Sequence, residues 1–178
     1  MVTSRPPAKS SPYITLLTDY GDQDGYVGAM KGELLARSPT TTVIDIAHDL
    51  PPQGILPAAF TWVTTLAGFP AGGIHVAVVD PGVGTQRRAV ALKGPWGTLI
   101  CPDNGVASGF IDEAARSALV LEGAHPGLQA GWTATRLDNP RYHRDRVSST
   151  FHGRDVFAPV AGHLAAGAAF DDLGPAMD

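Results

Sequence analysis

Short, almost wholly apolar runs separated by segments of helical period constrain this chain more than any other feature. Tyr13-Ile14-Thr15-Leu16-Leu17-Thr18 is brief and apolar and predicts a first strand. After the break TDYGDQDG, residues Tyr26, Val27, Met30, Leu34 and Leu35 recur at helical spacing. Asp24 is the expected N-cap of that helix and Ser38-Pro39 its stop. Thr41 to Ile46 predicts a second strand, and His48-Asp49-Leu50-Pro51-Pro52 a rigid loop. Ile55 to Leu66 predicts a helix in which Pro57 fits only within the first turn. Gly73 to Val79 predicts a third strand. Strands without polar alternation need cover on both faces. The order β-α-β-α-β therefore predicts an α/β fold, a mostly parallel sheet flanked by helices in three layers, α/β/α.

Downstream, Arg88 to Leu92 and Thr98 to Cys101 predict two short strands joined through Gly94-Pro95-Trp96-Gly97 as a hairpin. Val106 to Ala115 predicts a helix, Ala118 to Leu121 a strand, and Arg154 to Ala166 the last helix. Gly123 to Ser148 has no period, which is long for a structureless connection, so it is either functional or contains hidden elements. The start, MVTSRPPAKSSP, predicts a disordered tail over 1–12 ahead of one α/β domain over 13–178. It lacks the apolar segment of a secretory signal. No apolar run approaches the roughly 18 residues of a membrane span.

Composition narrows the partners. With 44% apolar and 17% charged residues the chain can fill a core, and a net charge of -4 offers no footprint for nucleic acid or an anionic membrane. The partner expected is a small-molecule substrate. The single cysteine, Cys101, excludes an intramolecular disulfide and suits a reducing, cytoplasmic location.

In an open α/β sheet, ligands lie beyond the carboxyl ends of the strands. Here those ends carry Thr18-Asp19, Asp45 to Asp49, and Asp80. Asp19 and Asp80 each follow an apolar strand and precede glycine-containing turns that let backbone approach a ligand. An aspartate at a strand end can equally serve only to cap a loop, so the corresponding pair is what points to a site. Gly82-Val83-Gly84 is not a dinucleotide fingerprint, because Arg87 stands where the third glycine belongs. No P-loop is present, and TDYGDQDG lacks the spacing of a calcium loop. Asp19, Asp22, His48, Asp80 and His152 are suitable metal ligands by type, which keeps a metal-dependent hydrolase open as an alternative. In STFHGRD, His152 precedes a glycine at a helix start, where its ring can stay free at a loop tip. Catalytic and structural readings of it both stand, while Arg154 and Asp155 read as a structural pair. His75, His125, His143 and His163 lie outside such motifs and read as structural.

Taken in order, TLLTDYGDQDGYVGAMKG, IDIAHDLPP, VAVVDPGVGTQRR, CPDNG and STFHGRDVFAPVAGHLAAG resemble the S-adenosylmethionine hydroxide adenosyltransferases, water-using relatives of the fluorinase and chlorinase enzymes. The resemblance spans roughly residues 13 to 176, and VVDPGVG with TFHGRD carries most of its specificity. It implies hydrolysis of S-adenosylmethionine to adenosine and methionine by an Asp-Arg-His set, in a homotrimer with no metal and no cofactor. Carried over by motif, the catalytic residues are Asp80, Arg87 and His152. Asp19 corresponds to the carboxylate that grips the ribose hydroxyls, and His48, Phe151 and Gly153 to positions lining the same pocket. The family pattern continues past Leu173-Gly174-Pro175 into a C-terminal β-barrel domain that is absent from these 178 residues. That leads to the expectation of a truncated chain that keeps the Asp-Arg-His corner, binds substrate weakly and tends to self-associate. A non-catalytic module binding adenosine or S-adenosylmethionine is accordingly the other reading.

The chemistry agrees with the residues. A sulfonium makes methionine a good leaving group, so the difficulty lies in the water that attacks ribose C5′. A free aspartate titrates near ~4 and a histidine near ~6.5, so either can take the water's proton at neutral pH.

Overall fold

The computed structural model describes residues 13–111 and 131–177. The expectations for the tail over 1–12, the end of the Val106 to Ala115 helix, the strand at Ala118 to Leu121 and His125 lie outside the described residues. Within them the chain runs β1 (Ile14–Thr18), α1 (Tyr26–Arg37), β2 (Val43–Ala47), α2 (Ile55–Leu66) and β3 (Gly73–Val78). A hairpin of β4 (Ala89–Gly94) and β5 (Gly97–Pro102) follows, then the short α3 (Ser108–Ile111) and β6 (Thr133–Arg136). A π turn over Gly153–Phe157 opens into α4 (Ala158–Ala165), and β7 (Ala176–Met177) ends the fold.

One sheet holds all seven strands in the order β2-β1-β3-β5-β4-β6-β7. The half formed by β2, β1, β3 and β5 is parallel, and β4, β6 and β7 extend it antiparallel. Every residue of β1 and β3 is buried, as expected for strands covered on both faces. Side chains alternate between the faces, and the core divides accordingly. Leu16, Val76 and Val78 meet Met30 and Leu34 of α1 with Phe157 and Val160. On the opposite face, Leu17, Ala77 and Leu99 meet Trp62 and Leu66 of α2 with Phe110. This is the three-layer α/β/α arrangement.

Several local expectations change. The N-cap of α1 is Gly25, not Asp24. The Asp24 side chain makes no cap, and its carbonyl accepts the Tyr26 N–H at 2.6 Å. The periodless stretch contains β6 and a 3-10 turn at Pro140–Tyr142, elements too short to display a period. The last helix starts wide rather than as an α-turn, and Pro159 accounts for it. Proline has no N–H to give the carbonyl four residues back, and its ring crowds that carbonyl. The carbonyl in question belongs to Asp155, and it accepts the N–H of Arg144 at 2.9 Å instead. His75 is the buried structural residue expected: its Nδ1 lies 3.0 Å from Thr15 Oγ1, and burial pushes its pKa down to about 4. Cys101 is free and buried. No helix among the described residues is long and apolar enough to cross a membrane.

Candidate active site

The site forms at the carboxyl edge of the parallel strands, where β3 delivers Asp80 two residues after Val78. Pro81 and Gly82 then reverse the chain. Val83 N–H donates to the Asp80 carbonyl at 3.2 Å and Thr85 Oγ1 to the Gly82 carbonyl at 2.7 Å. The turn brings Arg87 back onto the aspartate. Arg87 Nε donates to Asp80 Oδ1 at 3.0 Å, and Nη2 donates to Oδ2, so the guanidinium grips the carboxylate in a two-pronged pair. Both side chains are sealed, Arg87 at 7% exposure and Asp80 at 6%. The guanidinium carbon also lies 5.5 Å from the Phe157 ring centroid, and Asn104 of CPDNG braces the strand end by donating to the Val79 carbonyl at 2.9 Å.

His152 completes the corner from the far end of the chain. Its Nδ1 lies 3.1 Å from Arg87 Nη2. Arginine has donors only, so Nδ1 presents its lone pair and the proton of the neutral ring is assigned to Nε2. Burial first, and then the Arg87 charge, hold the imidazole pKa below its ordinary value, while Asp80, Asp155 and a backbone bond to Ser148 act upward. Gly84 lets the two segments meet. Its φ is +76°, and a Cβ there would collide with the Ser149 carbonyl. The turn after β3 thus packs directly on the loop that carries His152.

The other expected residues gather at the end of β1. Asp19 Oδ2 accepts the Gln53 N–H at 2.7 Å, and Gln53 sits at φ 61°, the only non-glycine residue of positive φ among those described. His48 is buried, with Nδ1 2.9 Å from Thr18 Oγ1. Its Nε2 is 3.0 Å from Asp45 Oδ1, within ion-pair distance but poorly angled for a hydrogen bond. With its carbonyl accepting Gly21 N–H at 2.7 Å, His48 braces the Asp19 turn. Phe151 packs edge-on to Tyr20 and Tyr26, ring centroids 5.8 and 5.2 Å away. Gly153 is required by Tyr20, whose hydroxyl would lie 2.5 Å from a Cβ there.

Tyr20, absent from the sequence candidates, connects the two ends. Burial, followed by the charges of Asp19 and Asp80, raises the pKa of its phenol, which keeps it protonated and able to donate. Two cavities flank the corner. One of about 430 Å³ is lined by Tyr20, Tyr26, Ser148, Thr150, Phe151 and Arg154. The other, of about 440 Å³, includes Thr85, Arg87, His143, Val147 and His152. His143 therefore faces the same space as His152 although its sequence context read as structural. Among the described residues no three of His, Cys, Asp and Glu cluster so as to hold a metal ion. Asp80 and His152 meet through Arg87, while Asp19 and His48 are held by Gln53 N–H and Thr18 at the end of β1.

The profile of the SAM hydroxide adenosyltransferase N-terminal domain matches residues 14–174. The chain is 46% identical over 169 residues to a Salinispora arenicola protein named (R)-S-adenosyl-L-methionine hydrolase, covering 95% of this chain and 59% of that one. A protein of the same name from Thermus thermophilus is 42% identical, covering 91% of this chain and 60% of its own. Among solved structures, an uncharacterized conserved protein from Thermotoga maritima superposes with a TM-score of 0.79 at 31% identity, over 92% of this chain and 58% of that one. The chain thus spans a little under two thirds of the relatives it matches.

Proposed function

The chain belongs to the SAM hydroxide adenosyltransferase N-terminal domain family, and from that premise we propose that it carries the water-activating corner of an S-adenosyl-L-methionine hydrolase. The observation that carries this reading is Arg87 Nη2, which bonds Asp80 and His152 Nδ1 at once. Water attacks ribose C5′ opposite the C–S bond, the C–O bond forms, and the C5′–S electron pair leaves on the neutral thioether of methionine. The water's proton is then surplus. With His152 Nδ1 turned to Arg87, the acceptor for that proton is a free lone pair of Asp80, while Arg87 stabilises the developing hydroxide. A sulfonium leaves so readily that the proton can depart late, and no acid is needed on the leaving side. Asp19 with its half-open turn binds the ribose hydroxyls, and Phe151, Gly153 and the His48-braced loop shape the wall beside it.

The site also has the right polarity for this substrate. Tyr20 stands within the fields of Asp19 and Asp80, so an aromatic ring and two carboxylates share one edge of the site, a setting that suits a cation such as a sulfonium. Assembly as a homotrimer and a cytoplasmic location complete the proposal, the first from the family resemblance and the second in keeping with the free, buried Cys101.

The test is turnover of S-adenosyl-L-methionine in ¹⁸O-labelled water with a chelator present. Adenosine carrying the label at its 5′ oxygen, released together with methionine, is expected. Unlabelled product, or ligand binding without any adenosine, would overturn the reading and leave a binding module. Dependence on an added divalent cation would select the metal-dependent alternative.

A further inference from the structure

Asp155 is a fully buried carboxylate that does no work in the reaction as described. Its Oδ2 accepts the Ser148 N–H at 2.8 Å, and its Oδ1 accepts from Arg154 Nε at 2.6 Å and Arg144 Nη1 at 3.3 Å. Its own carbonyl takes the Arg144 N–H at 2.9 Å, the bond made possible by Pro159. Both ends of the 144–148 segment are therefore tied to one residue. Ser148 passes the constraint on. Its Oγ accepts the N–H groups of Phe151 at 3.0 Å and Thr150 at 3.4 Å, the two residues that lead into His152. From His152 the chain of bonds continues through Nδ1 to Arg87 and from Arg87 to Asp80.

We propose that Asp155 is a positioning residue for this corner, holding His152 against Arg87 through Ser148. The buried anion fixes the Ser148 backbone, the Ser148 hydroxyl fixes the Phe151 amide beside His152, and the imidazole presents its lone pair to the guanidinium that grips Asp80. Gly84 packs against the Ser149 carbonyl, a second contact that holds the same loop. The charges facing His152 are Asp80 and Arg87 from the turn after β3, His143 from the segment after the 3-10 turn, and Asp155 from its own π turn. Of these, Asp155 is the fixed negative charge that plays no direct part in water activation.

The kinetic arm rests on the hydrolase reading, and the spectroscopic arm does not. In Asp155→Asn the amide oxygen can still accept Ser148 N–H, and Arg144 and Arg154, at 37% and 30% exposure, can turn to water. We expect the His152 imidazole, followed by NMR in the full 178-residue chain, to titrate lower by about 0.5 to 1 unit, because a favourable negative charge is gone. Turnover should fall about tenfold to a hundredfold with KM within about threefold, the mark of misplaced chemistry and not of lost binding. Arg144→Gln, at a half-exposed position, leaves Asp155 less compensated and should move the same titration upward. It reads the inference even if Asp155→Asn does not fold. An unmoved imidazole in both variants, or a shift of the same sign in both, overturns the proposal. If wild-type chain releases no adenosine yet the two shifts oppose each other, the hydrolase reading fails and the positioning role stands.

Discussion

Asp80 and Asp19 follow neighbouring parallel strands of one sheet, with Thr18 paired to Val78 just before them, yet one carboxylate is sealed and the other stands open. Asp80 is gripped on both oxygens by a buried arginine. Asp19 makes one hydrogen bond, to a backbone N–H held in a left-handed turn, and is only half-buried. A buried charge pair fixes geometry and strengthens the field at a reacting atom. A half-open carboxylate retains free lone pairs for a ligand that must enter and leave. In the proposed hydrolase, one topological position repeated on two strands is divided between chemistry and binding.

Removing the sealed carboxylate should break the comparison most violently. Asp80→Ala strands the Arg87 guanidinium without its partner, and breaking a buried pair in this way costs about 3–5 kcal/mol. Adenosine release should disappear together with that stability, which a urea titration alongside the assay would report. If the midpoint stays where it was, His152 and water compensate the guanidinium and the corner is not sealed.

His152→Ala separates the two losses. The ring gives the guanidinium one further acceptor, so folding should survive while turnover drops by roughly 10²-fold or more, because Arg87 and the proton-accepting Asp80 lose their alignment on the water. The same ring sets a pH limit. Its pKa is depressed in the folded chain, so the neutral form prevails at pH 7. As pH falls through that depressed value, Nδ1 takes a proton, two cationic donors face each other, and the corner comes apart. The acidic limb of kcat should therefore lie below the ordinary histidine value of 6.5, and the stability this group contributes is lost in the same direction. A limb above 6.5 would contradict the assignment of Nδ1 as acceptor.

Gly84→Ala probes the contact between the two segments. The backbone is left-handed there, and a Cβ would meet the Ser149 carbonyl, so a loss of about 1–2 kcal/mol is expected from the conformation alone. Turnover should fall with it, because the loop that moves is the loop that carries His152. Unchanged activity would show that the clamp has slack.

The order β-α-β-α-β was legible because its strands are buried on both faces and read as apolar runs. Ile55–Leu66 falls on the expected residues, Pro57 included. β6 was not legible: four residues, Thr-Ala-Thr-Arg, are too few for a period, and their pairing with β4 is set by contacts distant in sequence. Asp80 and Asp19 could be picked out by their places after apolar strands. That Arg87 and His152 join Asp80 came from motif resemblance, since no spacing rule links a turn to a helix start 65 residues later. Tyr20, Ser148 and the Gly84 contact were out of reach for the same reason. Each matters through what it touches across the fold, and serines, tyrosines and turn glycines occur everywhere for local reasons. Asp155 was visible, but only as half of a local pair with Arg154.

The mildest change lies at the open carboxylate. Asp19→Asn keeps the size of the side chain and an oxygen for the Gln53 N–H, so stability should shift by less than about 1 kcal/mol. A ribose hydroxyl that donates to a charged oxygen in both the ground state and the transition state loses that bond equally in both. Such uniform binding raises KM and leaves kcat alone. Replacing a charge-assisted bond by a neutral one should raise KM about tenfold, equivalent to ~1.4 kcal/mol. A fall in kcat instead would mean that Asp19 acts on the reacting centre, with Tyr20 as the physical route: its hydroxyl lies in the fields of both carboxylates, and its ring abuts Gly153. Tyr20→Phe, measured beside Asp19→Asn, separates the cases. If the two ends are independent, their effects on transition-state free energy add, and if Tyr20 couples them the double variant loses less than the sum.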